Sequence, residues 1–147
     1  MTFRFTSLLV AGTILASAPA FASNVNTGYF GNVAIEGYDT VAYFTARKAT
    51  RGLETITYEW QGATWQFANE KDRALFAANP EAYAPQFGGL CAEGVAYHEV
   101  SANIEPEVWE VIEGKLYMNY SAAFVDLPGN IPAAQTNWPE VKAKLQK

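Results

Sequence analysis

The sequence predicts a small α+β domain with two β-hairpins and several short helices. Two pairs of alternating polar and apolar segments each flank a two-residue turn signal, which is typical of hairpins. Asparagine and proline residues that favour helix starts stand between and after these pairs. The chain has 147 residues, a length that suits one hydrophobic core once an N-terminal leader is set aside. Hairpins interleaved with short helices indicate the α+β class.

The first 22 residues are predicted to be a secretory signal peptide. Arg4 supplies a positive start, an apolar run from Leu8 to Ala16 follows, and Ala20-Phe21-Ala22 is typical of a cleavage site. The apolar run is shorter than the ~20 residues that a membrane-spanning helix needs. Residues 23–147 are therefore expected to form a single domain in the periplasm or outside the cell, with no membrane span.

The first hairpin is predicted from two segments that meet at Gln61-Gly62. Thr55 to Trp60 alternates strictly, and Ala63 to Ala68 returns as the second strand. Before it, Ile35 to Phe44 reads as a turn that leads into a short strand or a turn of helix.

Two helices are predicted after this hairpin. Asn69 is a favourable N-cap with Asp72 three residues later, so a helix is expected to run from there to about Ala78. Pro80 suits the first turn of a second short helix, with Asn79 as its cap.

Large aromatic residues are expected to form much of the core. Trp65 and Phe67 share one strand face because side chains alternate along a strand. Phe76, Tyr83 and Phe87 follow at spacings of seven and four, which places them on one side if the path stays helical past Pro80. We expect Trp65, Phe67, Phe76 and Tyr83 to join one core.

The second hairpin and the tail complete the prediction. Val108 to Ile112 and Lys115 to Tyr120 flank the turn signal Glu113-Gly114. The tail from residue 121 onwards is interrupted by Pro128, Pro132 and Pro139. Two or three short helices are therefore expected there, the last over Pro139–Leu145.

Charge and cysteine content exclude several classes of protein. The net charge is −5, and removal of the signal peptide with its single Arg makes it −6. Nucleic acids and anionic membranes are bound through basic patches, which this chain lacks, so neither is expected as a partner. A single cysteine cannot form an internal disulfide.

The stretch from Pro85 to His98 concentrates the reactive side chains. It contains the only cysteine, Cys91, and the only histidine, His98. Gly88 and Gly89 precede the thiol and permit a left-handed turn or a close backbone approach. The motifs of common hydrolases, phosphate loops and Cys-x-x-Cys redox sites are missing, so a non-enzymatic binding module is predicted.

Several co-linear motifs resemble the YHS domain and secreted bacterial proteins that contain it. These motifs are Gly37 to Phe44, the hairpin Tyr58 to Phe67 followed by Phe76, Asn79-Pro80 and Tyr83, then Tyr83 to Ala92, Trp109 with Gly114 to Tyr120, Ala133-Ala134 and Asn137-Trp138-Pro139. The resemblance covers nearly all of residues 23–147. It implies a YHS-like α+β fold for that part of the chain.

The resemblance also implies metal handling, notably of copper and other soft metals. The usual ligands of the family are cysteines in a Phe-Cys-Ser-x-x-Cys pattern on and after the second hairpin strand. At that position this chain reads Phe67-Ala68-Asn69-Glu70-Lys71-Asp72, without a thiol. Cys91 is then the remaining soft donor.

Three hypotheses for Cys91 follow. It binds Cu(I) or another soft ion, with His98, Met118 and Asp39 as candidate partners. It acts as a thiol-redox group. Or it is a small buried residue in an interaction module.

The first hypothesis carries a geometric expectation. The Gly88-Gly89 turn is expected to hold Cys91 near the mouth of a pocket lined by Tyr38, Asp39 and Tyr43. The expected partners are a metal ion or a periplasmic protein.

Overall fold

The computed structural model describes residues 24–28, 31–100, 103–121 and 126–145. The predicted signal peptide lies outside these residues. Two antiparallel hairpins alternate with short helices, so the α+β prediction is confirmed. The elements are α1 (Ala42–Thr45), β1 (Leu53–Trp60), β2 (Ala63–Phe67), α2 (Glu70–Ala78), α3 (Pro80–Tyr83), α4 (Ala92–Ala96), β3 (Trp109–Ile112), β4 (Lys115–Met118) and α5 (Leu127–Lys144). Tight turns over Ala34–Gly37 and Gln86–Gly89 precede α1 and α4.

The first hairpin forms where the alternation predicts it. Trp60 pairs with Ala63 across a two-residue turn whose Gln61 and Gly62 have φ of 50° and 74°. Positive φ at both turn residues matches the right-handed twist of the flanking strands. The core-facing residues of β2, including Trp65 and Phe67, are buried.

Helix α2 begins at its predicted cap. The Asn69 side chain accepts a hydrogen bond from the backbone N–H of Asp72 at 2.9 Å and donates one to the Asp72 carboxylate at 2.9 Å. Helix α3 begins at Pro80 as predicted, but the Asn79 side chain does not cap it. The backbone N–H of Asn79 donates instead to carbonyls in the last turn of α2, so this residue serves to end one helix.

The second hairpin is also confirmed, with a shorter second strand than predicted. Ile112 pairs with Lys115 across Glu113-Gly114, but β4 ends at Met118. The backbone of Asn119 bonds instead to two residues before β3, donating to the Val108 carbonyl at 2.9 Å and accepting from the Glu105 N–H at 2.8 Å. These bonds draw the chain out of the strand.

The tail differs from its prediction, because residues 127–144 form one helix. Pro128 lies in its first turn, where the missing N–H costs little. Pro132 and Pro139 lie inside the helix but on its exposed side. The opposite side carries residues spaced by seven that are buried against α4, namely Leu127, Ala134 and Val141. Burial of these residues offsets the free-energy cost of the backbone hydrogen bonds that cannot form at the two internal prolines.

The described residues form two hydrophobic core clusters. The first contains Trp65, Phe67 and Phe76, with Tyr83 packed against it, as predicted. The second lies between α4, α5 and the turn over Gln86–Gly89, and it contains Phe87. The expectation that Phe87 shares a side with Phe76 is therefore wrong. Left-handed φ at Phe87 (54°) and in the glycines after it turns the chain away from the helical path.

We find no helix, within the residues described, that has the length and apolar character needed to cross a membrane.

Candidate functional site

The turn before Cys91 is fastened to the N-terminal arm of the domain. Gly88 and Gly89 have φ of 63° and 80°, as their predicted role requires. The Gly88 carbonyl accepts from the Asn26 backbone N–H at 2.7 Å, and the Gly89 carbonyl accepts from the Asn26 side chain at 3.0 Å. The turn is therefore held by one backbone and one side-chain hydrogen bond from Asn26, over a long sequence separation.

Replacement of Gly88 by Ala should destabilise the protein through that close approach. A left-handed Ala costs about 1–2 kcal/mol by itself. A Cβ at Gly88 would also collide with the Asn24 backbone carbonyl, whereas a Cβ at Gly114, at a similar φ, meets nothing within 4 Å. Gly114→Ala is thus the matched control, and Gly88→Ala should cost clearly more in urea unfolding. Equal costs would show that the turn is not closely packed.

Cys91 sits where the start of α4 meets the end of β4. Its backbone forms a parallel bridge with Met118, and its thiol donates to the Asn119 side-chain oxygen at 3.5 Å. The same oxygen accepts from the Glu93 backbone N–H at 3.3 Å. Asn119 therefore joins the thiol to the first turn of α4. Sequence reasoning did not single out Asn119, although it is a polar residue directly after an alternating strand.

The Asn119 carboxamide is incompletely satisfied. The residue is fully buried, and its Nδ2 finds no hydrogen-bond partner in the part of the chain that the structure describes. An unpaired buried donor costs free energy, commonly ~1–3 kcal/mol. The side chain that contacts the only thiol therefore has a donor free to bind a further group.

A cavity of about 510 Å³, which we call the thiol pocket, opens beside Cys91. Its lining residues are Cys91, Glu93, Gly94, Tyr97, Glu99, Asn103, Tyr120 and Ser121. Cys91 is only 6% exposed, while Tyr97 and Tyr120 are 67% and 55% exposed. The lining includes two carboxylates and no basic residue among those described, so the pocket favours positive charge.

The predicted partners of Cys91 occupy different places. Met118 is fully buried and lies in the same hydrophobic cluster as Cys91. His98 is exposed, and its Nδ1 lies 3.3 Å from the Glu140 carboxylate on α5. The backbones of Cys91 and Met118 therefore lie side by side, although Met118 does not line the thiol pocket, and the His98 ring lies at the surface beside Glu140.

Asp39 is fully buried and serves the backbone. Its carboxylate accepts from Val41 N–H at 2.9 Å and from Ala68 N–H at 2.8 Å, linking the start of α1 to the end of β2. Burial, chiefly, and the nearby negative charge of Asp72 raise the pKa of Asp39 from 3.8 to about 6, although the Ala68 N–H opposes this.

The two tyrosines predicted to line a pocket with Asp39 are placed in other surroundings. Tyr43 is fully buried, its hydroxyl donates to the Pro106 carbonyl at 3.0 Å, and burial raises its pKa. Tyr38 lies under the Arg51 guanidinium, 4.8 Å from its ring centre. Neither of them lines the thiol pocket, nor does Asp39, and the pocket is instead built from residues after Cys91.

The described residues offer few clustered metal ligands. Among the described residues, no three His, Cys, Asp or Glu side chains come together as a group able to hold a metal ion. Met118, whose backbone is bridged to that of Cys91, is a further sulfur-containing residue next to the thiol. Comparisons of this chain with protein families, curated proteins and solved structures found no match. The resemblance to the YHS domain therefore stays a prediction from sequence motifs.

Proposed function

We propose that this protein binds a soft metal ion of the Cu(I) class through Cys91 and acts as a metal-binding or trafficking accessory protein in the periplasm or outside the cell. One observation carries the proposal: the only thiol of an acidic chain lines a pocket whose described residues include two carboxylates and no basic side chain. A cation is favoured in such a pocket, and a soft cation prefers sulfur.

The chemistry assigns a separate task to each group. The Cys91 thiol loses its proton to the solvent and binds the ion as a thiolate. The Met118 thioether, on the residue bridged to Cys91, is the second soft donor. Glu93 and Glu99 are hard donors, so their contribution is to attract the ion electrostatically into the pocket.

Asn119 supplies a further reason to expect a ligand here. Its oxygen accepts from the protonated thiol, an interaction that ends when the proton leaves. Rotation of the carboxamide would bring the unpartnered Nδ2 towards the sulfur as a donor to a metal-bound thiolate, at the expense of the hydrogen bond that the oxygen accepts from the Glu93 N–H. Hydrogen bonds of this kind to a ligating atom orient it and tune its affinity.

The decisive experiment is a Cu(I) titration of the reduced protein, residues 23–147, against a competing chelator. We expect Cys91→Ser to lower the affinity by more than about 100-fold, since changes outside the ligand shell alone often cost ~10–100-fold. Met118→Leu keeps the side-chain size and removes the sulfur, so a smaller loss is expected. His98→Ala is the control and should bind as wild type does, because His98 pairs with Glu140.

Two other outcomes assign a different function. If Cys91→Ser binds Cu(I) as tightly as wild type, the metal proposal is wrong. Rapid labelling of the native thiol would then favour the thiol-redox hypothesis. Negligible labelling would leave a structural cysteine in an interaction module that serves a protein partner.

A further inference from the structure

A second cavity, which we call the tryptophan cleft, lies on another part of the molecule. Its volume is about 370 Å³, within the range of small-molecule sites. The described lining residues are Asn24, Val25, Trp60, Gln61, Trp65, Glu81, Ala84, Pro85, Gln86, Phe87, Gly88, Trp138 and Lys142. The cleft shares no lining residue with the thiol pocket. The cleft is therefore a separate place from the proposed metal site.

Aromatic rings from separate elements form the walls of the cleft. Trp60 and Trp65 come from the first hairpin, with ring centres 5.7 Å apart. Trp138 of α5 packs against Phe87 from the turn before α4, at 5.8 Å. Trp60 and Trp138 are only half-buried, so part of each ring is open to a ligand. Such faces bind flat apolar groups and also attract cations.

Two opposite charges line the same cleft without pairing. Lys142 is half-buried on α5, one turn after Trp138, and Glu81 lies on α3. Within the described residues, neither side chain has an ion-pair or hydrogen-bond partner. The contrast with Lys144 is informative, because that neighbour on α5 does bind a carboxylate, Glu140, at 3.1 Å. A partly desolvated ammonium without a partner favours an anionic group from outside the chain.

We propose that the tryptophan cleft binds a small zwitterion, namely a free α-amino acid with an apolar side chain. The ligand carboxylate binds Lys142 and its ammonium group binds Glu81, so each protein charge gains the partner it lacks. The apolar side chain packs on Trp60 and Trp138. Neither a simple anion nor a simple cation of the same size satisfies both charges.

The test uses three probes that share a phenyl group on a short alkyl chain and differ in which charged groups they carry. Phenylalanine carries both charges, 3-phenylpropanoate lacks the ammonium group, and phenethylamine lacks the carboxylate. Three of the four tryptophans line the cleft, so intrinsic fluorescence reports binding, with calorimetry as the second readout. We expect phenylalanine to bind at least about tenfold more tightly than either analogue, the loss expected for one charged hydrogen bond. Equal binding of all three probes, or no phenylalanine binding up to about 10 mM, overturns the proposal.

Single substitutions at Lys142 and Glu81 test which side chain binds the carboxylate and which binds the ammonium group of the ligand. Lys142→Gln should weaken phenylalanine and 3-phenylpropanoate about tenfold and leave phenethylamine unchanged, whereas Glu81→Gln should weaken only the two probes that carry an ammonium group. Lys144→Gln is the control on the same helix and should change none of them. If Lys144→Gln weakens phenylalanine as much as Lys142→Gln does, the assignment of Lys142 is wrong. Cu(I) affinity of the Lys142→Gln variant should equal that of wild type.

Discussion

Truncation of Phe76 to Ala should lower the free energy of unfolding by about 3–5 kcal/mol, the cost of removing a fully buried phenylalanine ring. Phe76 is completely buried at the centre of an aromatic group, with the rings of Tyr58, Trp60, Trp65 and Phe67 between 4.8 and 6.1 Å away. These rings come from both strands of the first hairpin, which cannot close over the space that the ring leaves. The expected loss is a large part of the stability of a domain of this size.

The measurement is the urea midpoint of the variant, with Leu53→Ala as control. Leu53 lies on the same hairpin but is half exposed, so its truncation should change stability by well under 1 kcal/mol. A midpoint for Phe76→Ala close to that of wild type would show that the ring is not packed in this cluster. A change in the slope of the transition would instead indicate a change in the unfolded state.

Stability should rise as the pH falls from about 7 to about 5, and Asp39 should carry much of this change. Its pKa is about 6 in the folded protein against an ordinary value of 3.8. The folded state thus holds the Asp39 proton more tightly than the unfolded state does. The stabilising contribution is complete below pH 3.8 and is lost as the pH rises through about 6. The difference between the two pKa values corresponds to about 3 kcal/mol over the whole range, of which roughly 1.4 kcal/mol develops between pH 7 and pH 5.

Two variants separate the causes of this pH dependence. Asp39→Asn removes the titrating group, so its unfolding free energy should vary much less between pH 5 and pH 7. Asp72→Asn removes the neighbouring negative charge, which is a smaller cause than burial, so it should reduce the dependence only in part. Glu70→Gln, on the exposed first turn of α2, is the control. If Asp39→Asn retains the full pH dependence of wild type, the titrating group lies elsewhere.

The two clusters of the core meet at the candidate site. Cys91 belongs to the first cluster, while the next residue, Ala92, belongs to the second with Val95 of α4. The thiol pocket therefore lies at a junction between two packed units. A ligand at Cys91 would contact the end of β4 and the start of α4 together, so its binding should stabilise the contact between the two clusters.

Elements whose signals are local could be predicted from the sequence. The two hairpins follow from alternation around Gln61-Gly62 and Glu113-Gly114, since neighbouring residues suffice to define a strand face and a tight turn. Helix α2 follows from the Asn69 cap in the same way. The importance of the Gly88-Gly89 turn was also predictable, because few residues other than glycine adopt its backbone conformation readily.

The other features depend on contacts between elements that are distant in sequence. Helix α5 continues through Pro132 and Pro139 because its buried seam packs against α4, a stabilisation that no local pattern reveals. Likewise, the surroundings of Cys91 depend on which distant side chains the fold brings to it. In the fold, Asn119 contacts the thiol and His98 contacts Glu140. Asp39 is buried and accepts hydrogen bonds from backbone N–H groups. Local signals suffice to predict the elements and hence the fold class. The composition of the site could not be predicted, because contacts between residues far apart in sequence arise only when whole elements pack together.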